Sequence, residues 1–352
     1  MDMTIVSHDV AEAADARGRI ASSLASSTLI EPEPAMTSTR RIAPIAAALL
    51  ALAGAAHAAG ADPSIARRTQ AARRVAESDP ACNAVRPFYW SVGDAGGLQA
   101  DGRVGLLAPK ATTRLPIASA SKWVYGAYVV QKHGGVLSTS DVDFLHFTSG
   151  YVDFGKCRRD QTVGACDTWR GNDGHEAKYD GRFFYDGGHM QRHATLDGEA
   201  SADDAQLAQR VDAMLGTSFA YAQPQLAGGI EASAADYGIF LQRIVAGDLR
   251  MHDMLGRHAV CTNPATCPTA ASTPMPQAES PHYSIGHWVE DDPSAGDGAY
   301  SSAGAFGFYP WIDHGVRWWG VLARFDVRVG AAPGPGVESL YCGRRIRAAW
   351  IG

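Results

Sequence analysis

Lysine is scarce in this 352-residue chain. Five of its 31 basic side chains are lysine, at positions 110, 122, 132, 156 and 178, and arginine supplies the rest. Arginine stays protonated and cannot act as a base, so chemistry that needs an amine base has five candidate positions. Charge is sparse as well: Asp, Glu, Lys and Arg make up 19% of the residues and the net charge is −6, which leaves no basic footprint for nucleic acid. No run of 18 or more strongly apolar residues occurs outside the N-terminal region, so no membrane-spanning bundle is expected. No Cys-x-x-Cys occurs, and no glutamate lies between His189 and His193. The usual zinc spacings are therefore missing; the two histidines read as a polar helix face, and neither a metal nor another cofactor is expected.

What is present suits a globular protein. Apolar residues make up 46% of the chain, enough for one large or two intimate domains. Residues 1–35 are small, polar and alanine-rich. Met36 is followed by Arg40 and Arg41, an apolar run from Ile42 to Ala53, and Ala56-His57-Ala58. A positive segment, a short apolar segment and a small-x-small site read as a secretory signal. The expectation is that translation starts at Met36 and that residues 1–58 are absent from a mature protein, 59–352, which is periplasmic or secreted. No stable membrane insertion is expected once the signal is cleaved. Export permits disulfides. Cys82, Cys157, Cys166, Cys261, Cys267 and Cys342 allow fifteen pairings; short loops favour Cys157–Cys166 and Cys261–Cys267, leaving Cys82–Cys342.

Helical spacing recurs from Pro63 to Ser78, with Ser64 as a candidate N-cap, and strand-like content follows over 87–92, with a return strand over 103–107. A helix runs from Ser119 to about His133, where Gly134-Gly135 closes it. Short helices are expected over 141–146, with Ser140 as cap, over 188–196 and over 202–215, around an irregular 151–183. A stronger helix follows Ser233 to Ala246. Strands are expected over 283–289, 306–312 and 316–325, then a helix over 338–349. Strands at both ends and helices between them predict an α+β fold: one antiparallel sheet built from the chain ends, flanked by the N- and C-terminal helices. The α/β part would be about 59–135 and 225–352, with a mainly helical part over about 136–224.

One pair carries chemistry. Ser119 and Lys122, three apart at a helix start, share a helix face. Lys122 alone among the five lysines has a serine three residues before it. A serine hydroxyl needs a base to become a nucleophile, and burial or neighbouring charge can make lysine that base.

Ile117-Ala118-Ser119-Ala120-Ser121-Lys122 resembles the first motif of the serine β-lactamase and penicillin-binding-protein superfamily. The 145–151 segment, with Thr148-Ser149-Gly150, resembles the next landmark of its class C and esterase-like branch. Tyr185-Asp186-Gly187 resembles the Tyr-x-Asn motif. Ala227-Gly228-Gly229-Ile230 and the helix after it, and Ser302-Ala303-Gly304 followed by Ala305, stand where the family's remaining motifs belong. The resemblance covers about residues 80–350. It implies Ser119 as nucleophile, Lys122 as base, Tyr185 as proton relay and the N–H groups of Ser119 and Ala305 as oxyanion hole, with Ser302, Gly304 and Gly187 at the substrate. The implied activity is ester or amide hydrolysis through an acyl-enzyme, on a small-molecule or peptide-like substrate. Two departures stand out: Gly187 replaces an amide or hydroxyl side chain, and Ser302 replaces a cation that would grip a carboxylate. Both favour an esterase-like or amide-oligomer hydrolase. The alternatives are a β-lactamase or D,D-carboxypeptidase, and a catalytically degenerate ligand- or peptidoglycan-binding member. Bland readings exist beside these: Tyr185 as plain core, Ser302 as an ordinary strand serine, Thr148-Ser149 as a turn, and the acidic loop 290–297 as solvated. Trp288 and Trp311 are candidates for the pocket wall.

Overall fold

In the computed structural model the chain is described over residues 63–328 and 333–352. The signal segment expected over 36–58 lies outside these residues. Helix α1 (Pro63–Ser78) leads to strands β1 (Phe88–Asp94) and β2 (Gly97–Val104), and a 3-10 turn over Ala118–Ala120 opens α2 (Ser121–Lys132). The middle of the chain carries α3 (Gly188–Ala194), α4 (Asp204–Leu215) and α5 (Ala234–Val245). The last third returns to strand as β3 (Val260–Cys261), β4 (His282–Tyr283), β5 (Trp288–Glu290), β6 (Ala299–Ser301), β7 (Tyr309–Ile312) and β8 (Trp319–Ala323), and closes with α6 (Pro335–Ile351).

The eight strands form one antiparallel sheet in the order β2-β1-β8-β7-β6-β5-β4-β3. Strands from the two ends of the chain pair one strand in from an edge of the sheet, where Trp90 on β1 pairs with Leu322 on β8 and Ser91 with Val321. Strand β1 is buried along nearly its whole length, because helices cover both of its faces. On one side α1 packs on α6, and Cys82–Cys342 ties the two ends. On the other lies α5. The α+β architecture, the sheet built from both ends and all three expected disulfides are present.

Local chemistry explains the element starts. Ser233 accepts from the Asp236 N–H while Asp236 accepts from the Ser233 N–H, a reciprocal cap that opens α5. Asp203 and Gln206 do the same for α4, which ends at Gly216 in the left-handed region. The helix expected over 141–146 spans Thr139–Leu145, and its cap is Ser138 rather than Ser140, because Asp141 stands where it can reach back to the Ser138 N–H. Ser64 lies inside α1 and does not precede it. The single strand expected over 283–289 is two strands, β4 and β5, around Gly286 at φ 72°. The turn is forced by close approach: a Cβ on Gly286 would sit 2.4 Å from the Lys122 carbonyl oxygen, so α2 crosses directly over this hairpin.

Helix α2 is buried from Ser121 to Val130. It is the central helix of the molecule, and it places Lys122 in the interior.

Candidate active site

The residues before Lys122 are held at both ends. The Ile117 N–H donates to the Ile230 carbonyl at 3.1 Å, and the Ile230 N–H donates to Ser121 Oγ at 3.2 Å. Between them Ala118 adopts φ 46°, a left-handed conformation that costs a residue with a Cβ on the order of 1 kcal/mol. This strained residue sits directly before Ser119, at a sharp turn from strand into helix.

Lys122 is 5% exposed. Its Nζ lies 3.0 Å from Ser119 Oγ and donates to the Ala227 carbonyl at 2.9 Å. Ala227 belongs to the loop before strand Ile230–Ala232, so the Ala-Gly-Gly-Ile segment reaches the site through a backbone oxygen. The amine also lies 4.9 Å from the centre of the Tyr185 ring. Tyr185 stacks on Trp288 at 5.4 Å and meets the edge-on rings of Phe147 and Tyr283. Part of its surface stays open, but protein surrounds it on nearly every side. That desolvation pushes the phenol up to about 12, against hydrogen bonding to Ser119 and Trp288 that lowers it. Three of the residues singled out in the sequence, Ser119, Lys122 and Tyr185, are thus together.

The last strands complete the site. Ser302 Oγ donates to the Ser119 carbonyl at 3.0 Å. Gly304 pairs its N–H with the Phe308 carbonyl at 2.8 Å, and a Cβ on it would fall 2.0 Å from the Ile117 carbonyl oxygen. Only glycine lets this turn abut the Ile117 carbonyl, just before the 3-10 turn that carries Ser119. Ala305, the next residue, is exposed.

Gly187 has a neighbour that explains it. A Cβ there would lie 3.0 Å from Phe154 Cδ1 and 3.4 Å from Ala227 Cβ. The space beside position 187 is filled by Phe154, which is buried against the Cys157–Cys166 disulfide. The segment 151–183, expected to be irregular, holds a short helix over Val163–Asp167 and a strand over His175–Asp180 that pairs with Ser149–Tyr151, and its Phe154 ring packs beside Gly187. Composition gave no signal for this; only the pairing of a missing side chain at 187 with an aromatic in a cysteine-closed loop hints at it.

Other expectations are corrected. His189 and His193 are buried, not a polar face. His189 donates from Nε2 to the Phe184 carbonyl at 3.0 Å and accepts from Ser149 Oγ at 2.7 Å; burial holds it down to about 3. His193 bridges Tyr125 at 2.6 Å and Asp141 at 3.1 Å. The loop 290–297 is not simply solvated. Glu290 is fully buried, where burial would raise its carboxyl, but Arg347 and Arg344 draw it down to about 2. Among the described residues no group of three or more His, Cys, Asp or Glu could hold a metal ion, and no helix is long and apolar enough to cross a membrane. Trp288 does stand at the site; Trp311 packs instead under Gly320 and the Arg347 guanidinium.

Comparison in sequence found no matching family model and no matching curated protein. Comparison of structure found solved proteins of similar fold. The D-amino acid amidase from Ochrobactrum anthropi SV3 aligns with TM-score 0.58 at 12% identity, covering 79% of this chain and 99% of its own. EstCE1, a hydrolase with promiscuous acyltransferase activity, aligns with TM-score 0.56 at 14% identity, covering 82% and 99%. FmtA from Staphylococcus aureus aligns with TM-score 0.54 at 14% identity, covering 80% and 87%. The chain has the fold of the serine β-lactamase and penicillin-binding-protein superfamily.

Proposed function

We propose that this protein is an exported serine hydrolase that cleaves an ester or amide through an acyl-enzyme on Ser119. The observation that carries the reading is the 3.0 Å approach of a buried lysine amine to the Ser119 oxygen. In the neutral amine the Nζ lone pair takes the hydroxyl proton while Oγ attacks the substrate carbonyl carbon. The N–H groups of Ser119 and Ala305 stabilise the oxyanion, a contribution worth about 3–4 kcal/mol per donor in such sites. Tyr185, uncharged because of its burial, relays the proton to the leaving group. Collapse gives the acyl-enzyme and a free alcohol or amine; water then releases the acid by the reverse proton path.

The surroundings of the site favour an uncharged substrate. Ser302 brings no cation to the strand, and the side chains packed behind Tyr185 and Gly187 (Trp288, Tyr283 and Phe154) are aromatic. This supports an esterase or amidase over a β-lactamase or D,D-carboxypeptidase. The solved proteins of similar fold include an amidase and a hydrolase with acyltransferase activity, which supports small esters and amides as the substrate class. The three disulfides support export.

A fluorophosphonate probe tests the reading. Labelling of the wild type that disappears in Ser119→Ala is expected. Equal labelling of both proteins rejects Ser119, and binding of ligands without acylation by any probe points to a degenerate binding protein instead.

A further inference from the structure

We infer that the Cys261–Cys267 disulfide is a positioning device for Tyr185: it clips the segment that holds the main chain of the relay residue to the edge of the large sheet. The inference rests on the reading of Tyr185 as the residue that returns the proton to the leaving group.

Tyr185 lies between a two-residue strand, Phe183–Phe184, and α3, so no long element holds it. That strand pairs in parallel with Ala270–Ser272, and the two form a separate sheet that does not join the eight strands. The Phe183 N–H donates to the Thr269 carbonyl at 2.7 Å, and the Tyr185 N–H donates to the Ser272 carbonyl at 3.1 Å. A pair of strands this short is marginal by itself. Its order comes from whatever holds residues 269–272.

The clip supplies that hold. Cys261 ends β3, the outer strand of the large sheet, where it pairs with His282 on β4. Six residues later the disulfide brings Cys267 back to it. The Ala270 N–H donates to the Cys267 carbonyl at 3.1 Å, and the Thr269 hydroxyl lies 3.3 Å from the Cys267 sulfur and 3.7 Å from that of Cys261. Thr269, whose carbonyl takes the Phe183 N–H, thus sits against both sulfurs. The loop between the cysteines is itself anchored: the Cys267 N–H donates to the Asn263 carbonyl at 2.9 Å, and the buried Asn263 amide donates to the Gln277 and Glu279 carbonyls at 2.9 and 3.1 Å. Contacts therefore run from β3 through the sulfurs to Thr269 and the main chain of Tyr185. The Tyr185 ring meets the same sheet separately, through Tyr283 on β4 and Trp288 on β5. Ring and main chain are fixed to one frame from two directions. A proton relay needs that, since a shift of about 1 Å in a reacting group costs on the order of 100-fold.

Cys261→Ser combined with Cys267→Ser opens the clip and changes none of the residues proposed for the chemistry. Hydrolysis of two acetate esters reads the effect. The alkoxide of benzyl acetate must take up a proton to leave, whereas the nitrophenolate of p-nitrophenyl acetate leaves as the anion. The maximal rate on benzyl acetate should fall about tenfold or more, and that on p-nitrophenyl acetate by less than about threefold. On a Tyr185→Phe background the same opening should change neither rate by more than about twofold, because the relay is already gone. Equal slowing of both esters, slowing of full size on the Tyr185→Phe background, or no slowing at all overturns the inference. Should the opened variant not fold, or the wild type cleave neither ester, native-state hydrogen exchange of the wild type reads the same coupling. The Phe183 and Tyr185 amides should open in one step with those of Cys267 and Ala270, and separate openings overturn the inference. Exchange does not require Ser119 to acylate. A wild type that no fluorophosphonate labels therefore rejects the proposed function, while exchange still decides the clip.

Discussion

The serine oxygen at position 119 depends on one neighbour. Lys122 is buried, donates to the Ala227 carbonyl and lies against the Tyr185 ring, so its amine has little freedom to leave the serine. Replacing Lys122 with Met keeps the volume and removes the base; acylation should slow by about 10²–10⁴-fold. Lys122→Arg should be as slow, since a guanidinium does not accept the proton. Both are measured as probe labelling rates on protein with an unchanged melting temperature. Gly304 is the other position that admits a single residue. Gly304→Ala should destabilise the fold by about 2–3 kcal/mol, because the added methyl meets backbone rather than a movable side chain; thermal melting reads it, and an unchanged melting temperature contradicts the close approach. Ser119 and Lys122 were legible in the sequence because helical spacing alone puts them on one face. The contact of Phe154 with Gly187 was not, because nothing in the neighbours of either residue announces the other. His189 and His193 misled for a related reason: i, i+4 spacing says that two side chains share a face, not which way that face points.

Segments succeed or fail by how much of their structure is local. Helix α5 was legible almost to the residue, since the Ser233–Asp236 cap and the Tyr237, Phe240, Leu241 and Ile244 stripe are written into adjacent positions. The hairpin around Gly286 was not, because the carbonyl of Lys122 that forces the turn lies far away in sequence. The return strand expected over 103–107 spans Gly97–Val104 instead. Gly97, at φ 124°, makes the tight turn back from β1, and register with Phe88–Asp94 outweighs the low strand propensity of Gly97 and Asp101. The segment 151–183 had no period to follow, and its role at the site comes from one disulfide and one aromatic. That role makes a prediction. Gly187→Asn, which would place an amide where the Tyr-x-Asn motif that this segment resembles carries one, should cost about 1–3 kcal/mol because Phe154 occupies its place. The loss should shrink when Phe154→Ala is added. The two melting temperatures measure the coupling; additive losses would show that Phe154 is not the obstacle.

The molecule as a whole is closed on itself. Cys82 and Cys342 are 260 residues apart, and a crosslink of that reach removes on the order of 5 kcal/mol of unfolded-chain entropy. The Cys82→Ala, Cys342→Ala protein should melt well below the wild type, and an unchanged melting temperature would contradict this. Acid should weaken the fold from two sides. His287 is buried between an N–H that donates to its Nε2 and the Ile285 carbonyl that accepts from its Nδ1; burial holds it down to about 4, and His189 is lower still. Such groups bind protons more readily unfolded, so their stabilisation is complete above about pH 6.5 and drains away as pH falls. Glu290, held at about 2 beside Arg347 and Arg344, adds a second loss that begins near its unfolded value and continues toward pH 2. Denaturant midpoints taken from neutral pH downward should therefore fall steadily below about pH 6.5; a flat profile to pH 4 would contradict the burial of these histidines. The α+β class was legible because strands at the two ends of a chain must meet somewhere, and the disulfides because two of them close short loops.

Turnover through Ser119 leaves a covalent bond that can be located. Intact-mass analysis of the protein quenched during hydrolysis of an activated ester, followed by peptide mapping, locates the acyl group. The prediction is a single acyl adduct on the peptide that carries Ser119, absent from Ser119→Ala and much reduced in Lys122→Met. An adduct on any other residue, or turnover that persists undiminished in Ser119→Ala, would contradict it.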